Sequence, residues 1–361
     1  MGTLAALPLA RGLHLLSPPS FGPAPSPSKL RLPKPIGSPV LDSLAPVIHG
    51  SRDVHIDISK IVEHASWMAY EELPLPSFAL PFGIGERDPD EAIDFLMVAD
   101  VVDFAFTDFK TNVKFQVDFA GRRWSDSEAM FACLKRASDQ GIPILEGKYL
   151  AAVTRTDLEH IFRGNIEMPM LDERAEILHQ VGSVLEGHYA GRFHNFVKSS
   201  SPKLYDNGKG LVDRLVAQFP RFRDVSNYDG NEIKIYKLAQ LGIWMVYSAL
   251  HPGGRFRLDD AEKMTAFADY IVPAALRVMG ILNYSSTLEK TIDQRHMIPR
   301  DSTQEIEIRA HTLCATALLR EEVNKLRPAD LEVIIPQIDA RLWTHYHTTF
   351  WPHHLTVTIM Y

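Results

Sequence analysis

The sequence predicts a mainly α-helical fold with a small β element, and three observations support this prediction. Apolar residues recur at every third or fourth position in four segments, residues 127–138, 171–185, 211–219 and 306–317. This is the period of a helix with one buried face. Residues that begin and end helices flank the first of these segments. Alternating apolar and polar residues, the pattern of a strand, occur only in short pieces.

The helix at 127–138 has the clearest boundaries. Ser127 is a favourable N-cap, while Gly141 and Pro143 follow the last apolar position and stop the helix. The segments at 115–119 and 233–235 alternate apolar with polar or charged side chains. These two pieces predict a small sheet or hairpin beside the helices.

The first 46 residues are predicted to form a disordered, proline-rich extension. They contain ten of the 24 prolines and no acidic residue before Asp42, and such a composition cannot bury a core. Acid-poor, serine-containing segments are also typical of mitochondrial transit peptides, so that alternative stays open. Residues 50–361 have a globular composition without an internal linker or repeat, and we expect them to form one helical domain.

Composition argues against several classes of protein. The 361 residues include 38 basic and 45 acidic side chains, a net charge of −7. Without a basic field, we expect no direct binding of nucleic acid. The sequence has no run of about 18 apolar residues that could span a membrane. Its two cysteines, Cys133 and Cys314, lie in apolar runs, which favours a reducing compartment such as the cytoplasm.

The sequence predicts neither a metal site nor a bound cofactor. Residues 83–85 form a Gly-Ile-Gly step, but the third glycine and the following helix of a dinucleotide-binding loop are missing. Histidines cluster late in the chain, yet Pro352 interrupts them and they lack a supporting carboxylate. We therefore interpret four histidines as packing or surface residues: His345, His347, His353 and His354.

Three stretches place a carboxylate beside aromatic rings, at residues 103–106, 267–270 and 339–343. A site that cleaves a base from a sugar without a metal requires a carboxylate next to stacking surfaces. Each stretch also has a structural alternative. These are core packing for the first, helix capping for the second, and an ion pair with Arg341 for the third.

Six short segments are distinctive in composition and order. They are residues 51–56 (SRDVHI), 141–144 (GIPI), 168–174 (MPMLDER), 236–240 (YKLAQ), 264–273 (MTAFADYIVP) and 304–309 (QEIEIR), and a tyrosine stands at position 361. In this order they resemble the queuosine salvage family, whose members are queuosine 5'-phosphate N-glycosylase/hydrolases. The resemblance runs from about residue 51 to residue 361.

The resemblance implies an activity and a fold. The activity is hydrolysis of the N-glycosidic bond of queuosine 5'-phosphate, which releases the 7-deazapurine base queuine for reinsertion into transfer RNA. The implied fold is mainly helical and similar to that of DNA glycosylases, and the chemistry needs no metal or redox cofactor. A free nucleotide substrate agrees with the acidic net charge.

The resemblance also implies which residues form the site. Asp269 is the expected catalytic carboxylate, and Lys237 is expected to hold the 5'-phosphate or to tune Asp269 by its charge. Asp339 is the expected partner of the cationic amine that queuine carries. The other expected substrate contacts are four aromatic residues and one polar residue: Phe267, Trp343, Phe104, Phe106 and Ser125.

Two positions depart from the family pattern. Thr344 stands where the family has an aspartate, and Thr107 stands where it has a tryptophan. These departures keep open an alternative of another class, a non-catalytic protein that binds queuine or a related base. Glu305 and Arg309 are four residues apart, and we expect them to pair on one helix face in a purely structural role.

Overall fold

The computed structural model of the protein describes residues 31–75, 81–86, 88–347, 349 and 351–361. Its α-helices are α1 (Pro39–Asp42), α2 (Ala45–Gly50), α3 (Ile58–Met68), α4 (Pro89–Val101), α5 (Asp126–Asp139), α6 (Gly147–Leu150), α7 (Arg155–Ile161), α8 (Leu171–His188), α9 (Phe193–Lys198), α10 (Leu211–Gln218), α11 (Lys237–Leu250), α12 (Ile271–Val278), α13 (Ser286–Asp293), α14 (Thr303–Leu326) and α15 (Ile335–Tyr346). Its strands are β1 (Val54–Ile56), β2 (Gln116–Phe119), β3 (Arg122–Ser125), β4 (Val225–Tyr228), β5 (Asn231–Lys234) and β6 (Leu282–Tyr284). The prediction of a mainly helical fold with a small β element is confirmed, while the likeness to DNA glycosylases stays a prediction.

The long helix α14 is the centre of the fold. It packs against α2, α3, α12, α15 and β1, and because neighbours cover it all round, it carries buried residues on every face. Four of these are charged: Glu305, Glu307, Arg309 and Glu321. Helix α11 is also buried along most of its length and packs against α4 and α10.

The strands form three antiparallel pairs. Strand β2 pairs with β3 and β4 with β5 through tight turns, as the alternating segments at 115–119 and 233–235 predict. Strand β1 pairs with β6, so that Val54 lies opposite Tyr284. This last pair joins an early segment of the chain to the segment that follows α12.

The predicted extension differs from the structure in part. Residues 1–30 lie outside the described residues, but α1 lies within the segment assigned to the extension and α2 begins there. Pro39 and Pro46 stand in the first turns of these helices, where a proline leaves no intrahelical hydrogen bond unmade. Val40 and Leu44 are fully buried, so residues 39–46 of the predicted extension belong to the packed fold.

Two further observations concern boundaries. Helix α5 begins at Asp126 with Ser125 in the N-cap position, two residues before the predicted cap at Ser127. Gly141 has a positive φ just beyond its end, as its predicted role in stopping the helix requires. Among the described residues, no helix is both long and apolar enough to cross a membrane.

Candidate active site

Asp269 lies immediately before α12, and the start of that helix holds its side chain. Its Oδ1 accepts hydrogen bonds from the backbone N–H groups of Ile271 (2.7 Å) and Val272 (3.1 Å). These bonds are the helix capping that the sequence offers as a structural role for the stretch 267–270, and they fix the direction of the carboxylate. The second oxygen, Oδ2, takes part in neither bond, so the helix orients the carboxylate without occupying both of its oxygens.

The surroundings of Asp269 set its protonation. The residue is only 9% exposed, and burial raises the pKa of its carboxyl group. The positive charge of Lys237, the two helix N–H groups and His353 oppose this rise. Lys237 is therefore within electrostatic range of Asp269, and the structure brings together the two residues that the sequence predicts to be catalytic.

Lys237 is the first residue of α11, and its side chain is buried. Its Nζ lies 3.7 Å from Oδ2 of Asp103, which follows the end of α4. The preceding residue, Tyr236, has a left-handed backbone with φ of 50°, and the carbonyl of Asp224 accepts its N–H at 3.1 Å. This sharp turn sends the lysine into the interior rather than to the surface.

Asp339 lies on α15 and contacts the segment that carries Asp269. Its Oδ1 accepts the backbone N–H of Phe267 at 2.9 Å. Burial and the charge of Asp269 raise the pKa of Asp339 to about 7, against the opposing effects of the Phe267 N–H and of Lys237. Near neutral pH, Asp339 is therefore present both as a carboxylate and as a neutral acid.

The predicted aromatic contacts fall into two groups. Phe267 is buried beside Asp339, and Trp343 lies one helical turn beyond Asp339 on α15, where it is 39% exposed. The Trp343 ring is stacked on His347 with a centroid distance of 4.4 Å and an interplanar angle of 3°. Because Asp339 and Trp343 are four residues apart, they lie on the same face of α15.

Phe104 belongs to the core rather than to a substrate surface. It is 1% exposed, and the guanidinium groups of Arg174 and Arg221 lie 4.1 and 4.8 Å from its ring centroid. Because these cations occupy its surroundings, a flat base cannot stack on it. Phe106 is half-buried and lies 5.6 Å from the Arg174 guanidinium, so it keeps a partly open edge.

Ser125 lies at the end of the β2–β3 hairpin. Its Oγ accepts a hydrogen bond from Nε2 of Gln116 at 3.0 Å. Burial, the charge of Asp269 and then the charge of Asp126, the residue after Ser125, raise the pKa of Tyr270, the residue that follows Asp269. The hairpin end is thus close to the Asp269 segment, while direct contact of Ser125 with a substrate stays a prediction.

The late histidines that the structure describes pack against other rings. His353 is stacked on Tyr270 at 4.5 Å, and Nε2 of His354 lies 3.1 Å from the hydroxyl of Tyr361. Burial lowers the pKa of His354 to about 3, so this ring is neutral. Their interpretation as packing histidines therefore holds for these two positions.

Sequence reasoning missed Asp100, a third buried carboxylate that interacts with Lys237. Asp100 is fully buried, and among the described residues neither of its oxygens has a hydrogen-bond partner. Burial, together with the charge of Asp103, raises its pKa well above the usual value, while Lys237 and Arg221 oppose the rise. The sequence feature that indicates this buried carboxylate is an aspartate inside the apolar run at 95–102.

The predicted pairing of Glu305 with Arg309 is confirmed. The two charged groups lie 3.7 Å apart, and both side chains are 2% exposed or less. The spacing of four residues predicts the pair on one helix face but not that other elements bury this face. Arg309 also binds Asp224 with two hydrogen bonds, of 3.0 and 2.7 Å, which the spacing within one helix does not reveal.

Comparison with known proteins places these residues in a family. The family model described as queuosine salvage protein matches residues 84–361. The chain belongs to this family. It is 34% identical to the queuosine 5'-phosphate N-glycosylase/hydrolase of Sphaerobacter thermophilus over 326 residues, which cover 89% of this chain and 97% of that protein. It is 30% identical to the protein of the same name from Bos taurus over 307 residues, 83% of this chain and 89% of that protein.

The family match contains every predicted site residue and confirms the resemblance on which those predictions rest. The departures at Thr107 and Thr344 lie beside the site. Thr107 forms an isolated bridge with Lys114, and Thr344 is exposed on α15. Neither threonine supplies the ring or the charge that stands there in the family pattern.

Proposed function

We propose that the protein hydrolyses the N-glycosidic bond of queuosine 5'-phosphate and releases queuine for salvage into transfer RNA. The observation that carries this proposal is the buried Asp269, oriented by the start of α12 within range of Lys237 and Asp339. Relatives that align with most of the chain carry the name queuosine 5'-phosphate N-glycosylase/hydrolase.

The chemistry of the bond explains why an oriented carboxylate is needed. When the bond to the base breaks, the sugar carbon becomes positively charged, and a nearby carboxylate stabilises that charge or attacks the carbon. Oδ2 of Asp269 is the oxygen that its helix-capping bonds leave for this purpose. Both courses require Asp269 to be ionised, and the charge of Lys237 favours that form.

Departure of the base needs a different kind of help. A 7-deazapurine has carbon at position 7, so the protonation that assists departure of an ordinary purine cannot occur there.

We assign to Lys237 the task of holding the 5'-phosphate or of keeping Asp269 ionised by its charge. The partly exposed Asp103, whose Oδ2 lies 3.7 Å from Nζ of Lys237, helps to hold the ammonium group in place.

The remaining contacts are assigned by chemistry. Asp339 pairs with the cationic amine of queuine, and Phe267 with Trp343 offers apolar surface to the flat base. Phe106 and Ser125 lie at the edge of this arrangement as weaker candidates. Phe104 has no part in this proposal, because the side chains of Arg174 and Arg221 lie over its ring.

The decisive variant is Asp269→Asn. It keeps a side chain that can accept the helix N–H bonds but removes the charge, so we expect retained binding of queuosine 5'-phosphate and a loss of turnover of about 10³-fold or more. Release of queuine is followed by chromatography, and binding by calorimetry.

Asp57→Asn is the matched control. Asp57 caps α3 through the same two kinds of bond, to the N–H groups of Ser59 and Lys60, but lies outside the site. We expect full turnover from this variant. Near-normal turnover of Asp269→Asn would refute the catalytic assignment, and a wild-type protein that binds the nucleotide without cleaving it would support the alternative of a binding protein.

We place this activity in the cytoplasm, because Cys133 and Cys314 are buried free thiols, as a reducing compartment allows. The competing proposal is a mitochondrial location, in which residues 1–46 act as a transit peptide. Imaging of fluorescent fusions with and without these residues tests it, since a transit peptide would direct only the longer form to mitochondria.

A further inference from the structure

The buried side chain of Arg309 connects two segments of the chain that carry the proposed catalytic residues. Its Nε donates a hydrogen bond to the carbonyl of Ala268 at 3.1 Å. Its Nη1 and Nη2 donate to the two carboxylate oxygens of Asp224, at 3.0 and 2.7 Å. Three of the donors of one planar group are therefore fixed in direction by two partners.

Each of these partners leads directly to a site residue. Ala268 immediately precedes Asp269 in the chain. Oδ2 of Asp224 accepts the backbone N–H of Lys237 at 3.3 Å, and the Asp224 carbonyl accepts the N–H groups of the two residues before Lys237. One guanidinium group thus links the backbone at Asp269 to the backbone at Lys237.

The guanidinium group is itself held from the opposite side. The ring of Tyr361 lies 4.7 Å from its central carbon, and the Tyr361 hydroxyl donates to Oε1 of Glu305 at 3.1 Å. Glu305 in turn lies 3.7 Å from Arg309. Because the ring, the carboxylate and the guanidinium are all buried, rotation of Arg309 would break several contacts at once.

We propose that Arg309 is a positioning residue, which holds the carboxylate of Asp269 and the ammonium of Lys237 in the relative placement that the reaction needs. The inference rests on the proposed function, because it assumes that those two residues act together. It assigns to Arg309 more than a share in stability. A buried ion pair alone would need no bond to the Ala268 carbonyl, and its loss would weaken folding without altering the site.

The test is the variant Arg309→Lys, which keeps the charge but cannot reach Ala268 and both oxygens of Asp224 together. We expect kcat to fall about 100-fold, as displacement of a reacting group by about 1 Å does, with a much smaller change in KM. We also expect the acidic limb of the pH–rate profile to move to higher pH. Lys237 would then stabilise the ionised Asp269 less, while the other groups that face Asp269, namely His353, Asp339 and Tyr270, stay in place.

Glu307→Gln is the matched control for a purely structural effect. Glu307 lies on the same helix, is equally buried, and accepts N–H groups of residues 52–54 and the hydroxyl of Tyr228. We expect it to lower the melting temperature without moving the acidic limb. An unmoved limb in Arg309→Lys, whatever its kcat, would overturn the proposal.

A milder variant covers the case in which Arg309→Lys does not fold. Tyr361→Phe keeps the ring beside the guanidinium but removes the hydroxyl that contacts Glu305 and His354, and the same shift of the acidic limb is expected in smaller measure. An unmoved limb there would equally refute the positioning role. Failure of the proposed function is distinguishable, because the wild-type protein would then release no queuine, whereas failure of this inference alone leaves the wild type active and Asp269→Asn inactive.

Discussion

Three buried carboxyl groups interact with the charge of Lys237, yet their surroundings differ: those of Asp100, Asp269 and Asp339. Asp269 receives two N–H bonds from the start of α12, Asp339 receives one from Phe267, and the side chain of Asp100 receives none from the described residues. Burial raises the pKa of all three. Hydrogen bonds to the ionised form counteract that rise, so Asp269 is the best suited of the three to carry a negative charge.

The dual protonation of Asp339 predicts how substrate binding depends on pH. Only the carboxylate can pair with the cationic amine of queuine, and the pKa of Asp339 in the free protein is about 7. We therefore expect KM for queuosine 5'-phosphate to rise as the pH falls below 7, and Asp339→Asn to have a high KM that no longer depends on pH in this range. Steady-state kinetics across pH 7 measure both, and a wild-type KM that is flat there would contradict the role of Asp339.

At the scale of single elements, sequence patterns predicted the positions of helices better than they predicted which residues pack against those helices. The apolar period at 171–185 and the signals around 127–138 correspond to α8 and α5. The same spacing argument predicted the pair of Arg309 with Glu305 but not the second partner of Arg309, since a period within one helix contains no information about Asp224, 85 residues away. Phe104 was misplaced for the same reason, because Arg174 reaches it from α8, far along the chain.

The contact between α4 and α11 depends on Gly242. A Cβ atom at this position would lie 2.5 Å from Oδ2 of Asp100, so Gly242→Ala must push the two helices apart or displace the buried acid. We expect a loss of about 1–3 kcal/mol in the free energy of unfolding and a reduced kcat, because α11 begins with Lys237. Denaturant unfolding and queuine release are the measurements.

Gly187→Ala in α8 is the control for that variant. A Cβ atom there would meet no other atom within 4 Å, so the substitution should stabilise the helix by about 0.5–1 kcal/mol and leave kcat unchanged. Equal effects of the two substitutions would show that close packing against Asp100 does not limit the α4–α11 contact.

For the molecule as a whole, burial of the ionised carboxylate of Asp339 in the site lowers the free energy of unfolding by an amount that can be measured. A carboxyl group whose pKa is raised in the folded state holds its proton more tightly there than in the unfolded chain. This difference in pKa stabilises the folded state fully at pH values below the pKa of the group in the unfolded chain. The stabilisation is lost as the pH rises through the pKa of the group in the folded protein. For Asp339 these limits are 3.8 and about 7, so ionised Asp339 opposes folding in alkaline solution.

Asp339→Asn should therefore stabilise the protein at high pH while damaging its function. The asparagine oxygen can still accept the Phe267 N–H, and no charge has to be buried. We expect the melting temperature to exceed that of the wild type at pH 8, with a gain in folding free energy of at most about 4 kcal/mol, and the gain to vanish near pH 4.

Asp260→Asn is the contrasting control, because this buried carboxylate accepts the N–H of Leu204 at 2.6 Å and pairs with Lys263 at 3.3 Å. It should lower the melting temperature at pH 8. Destabilisation by Asp339→Asn at both pH values would mean that the charge of Asp339 is compensated within the fold, and that the site carries no such cost.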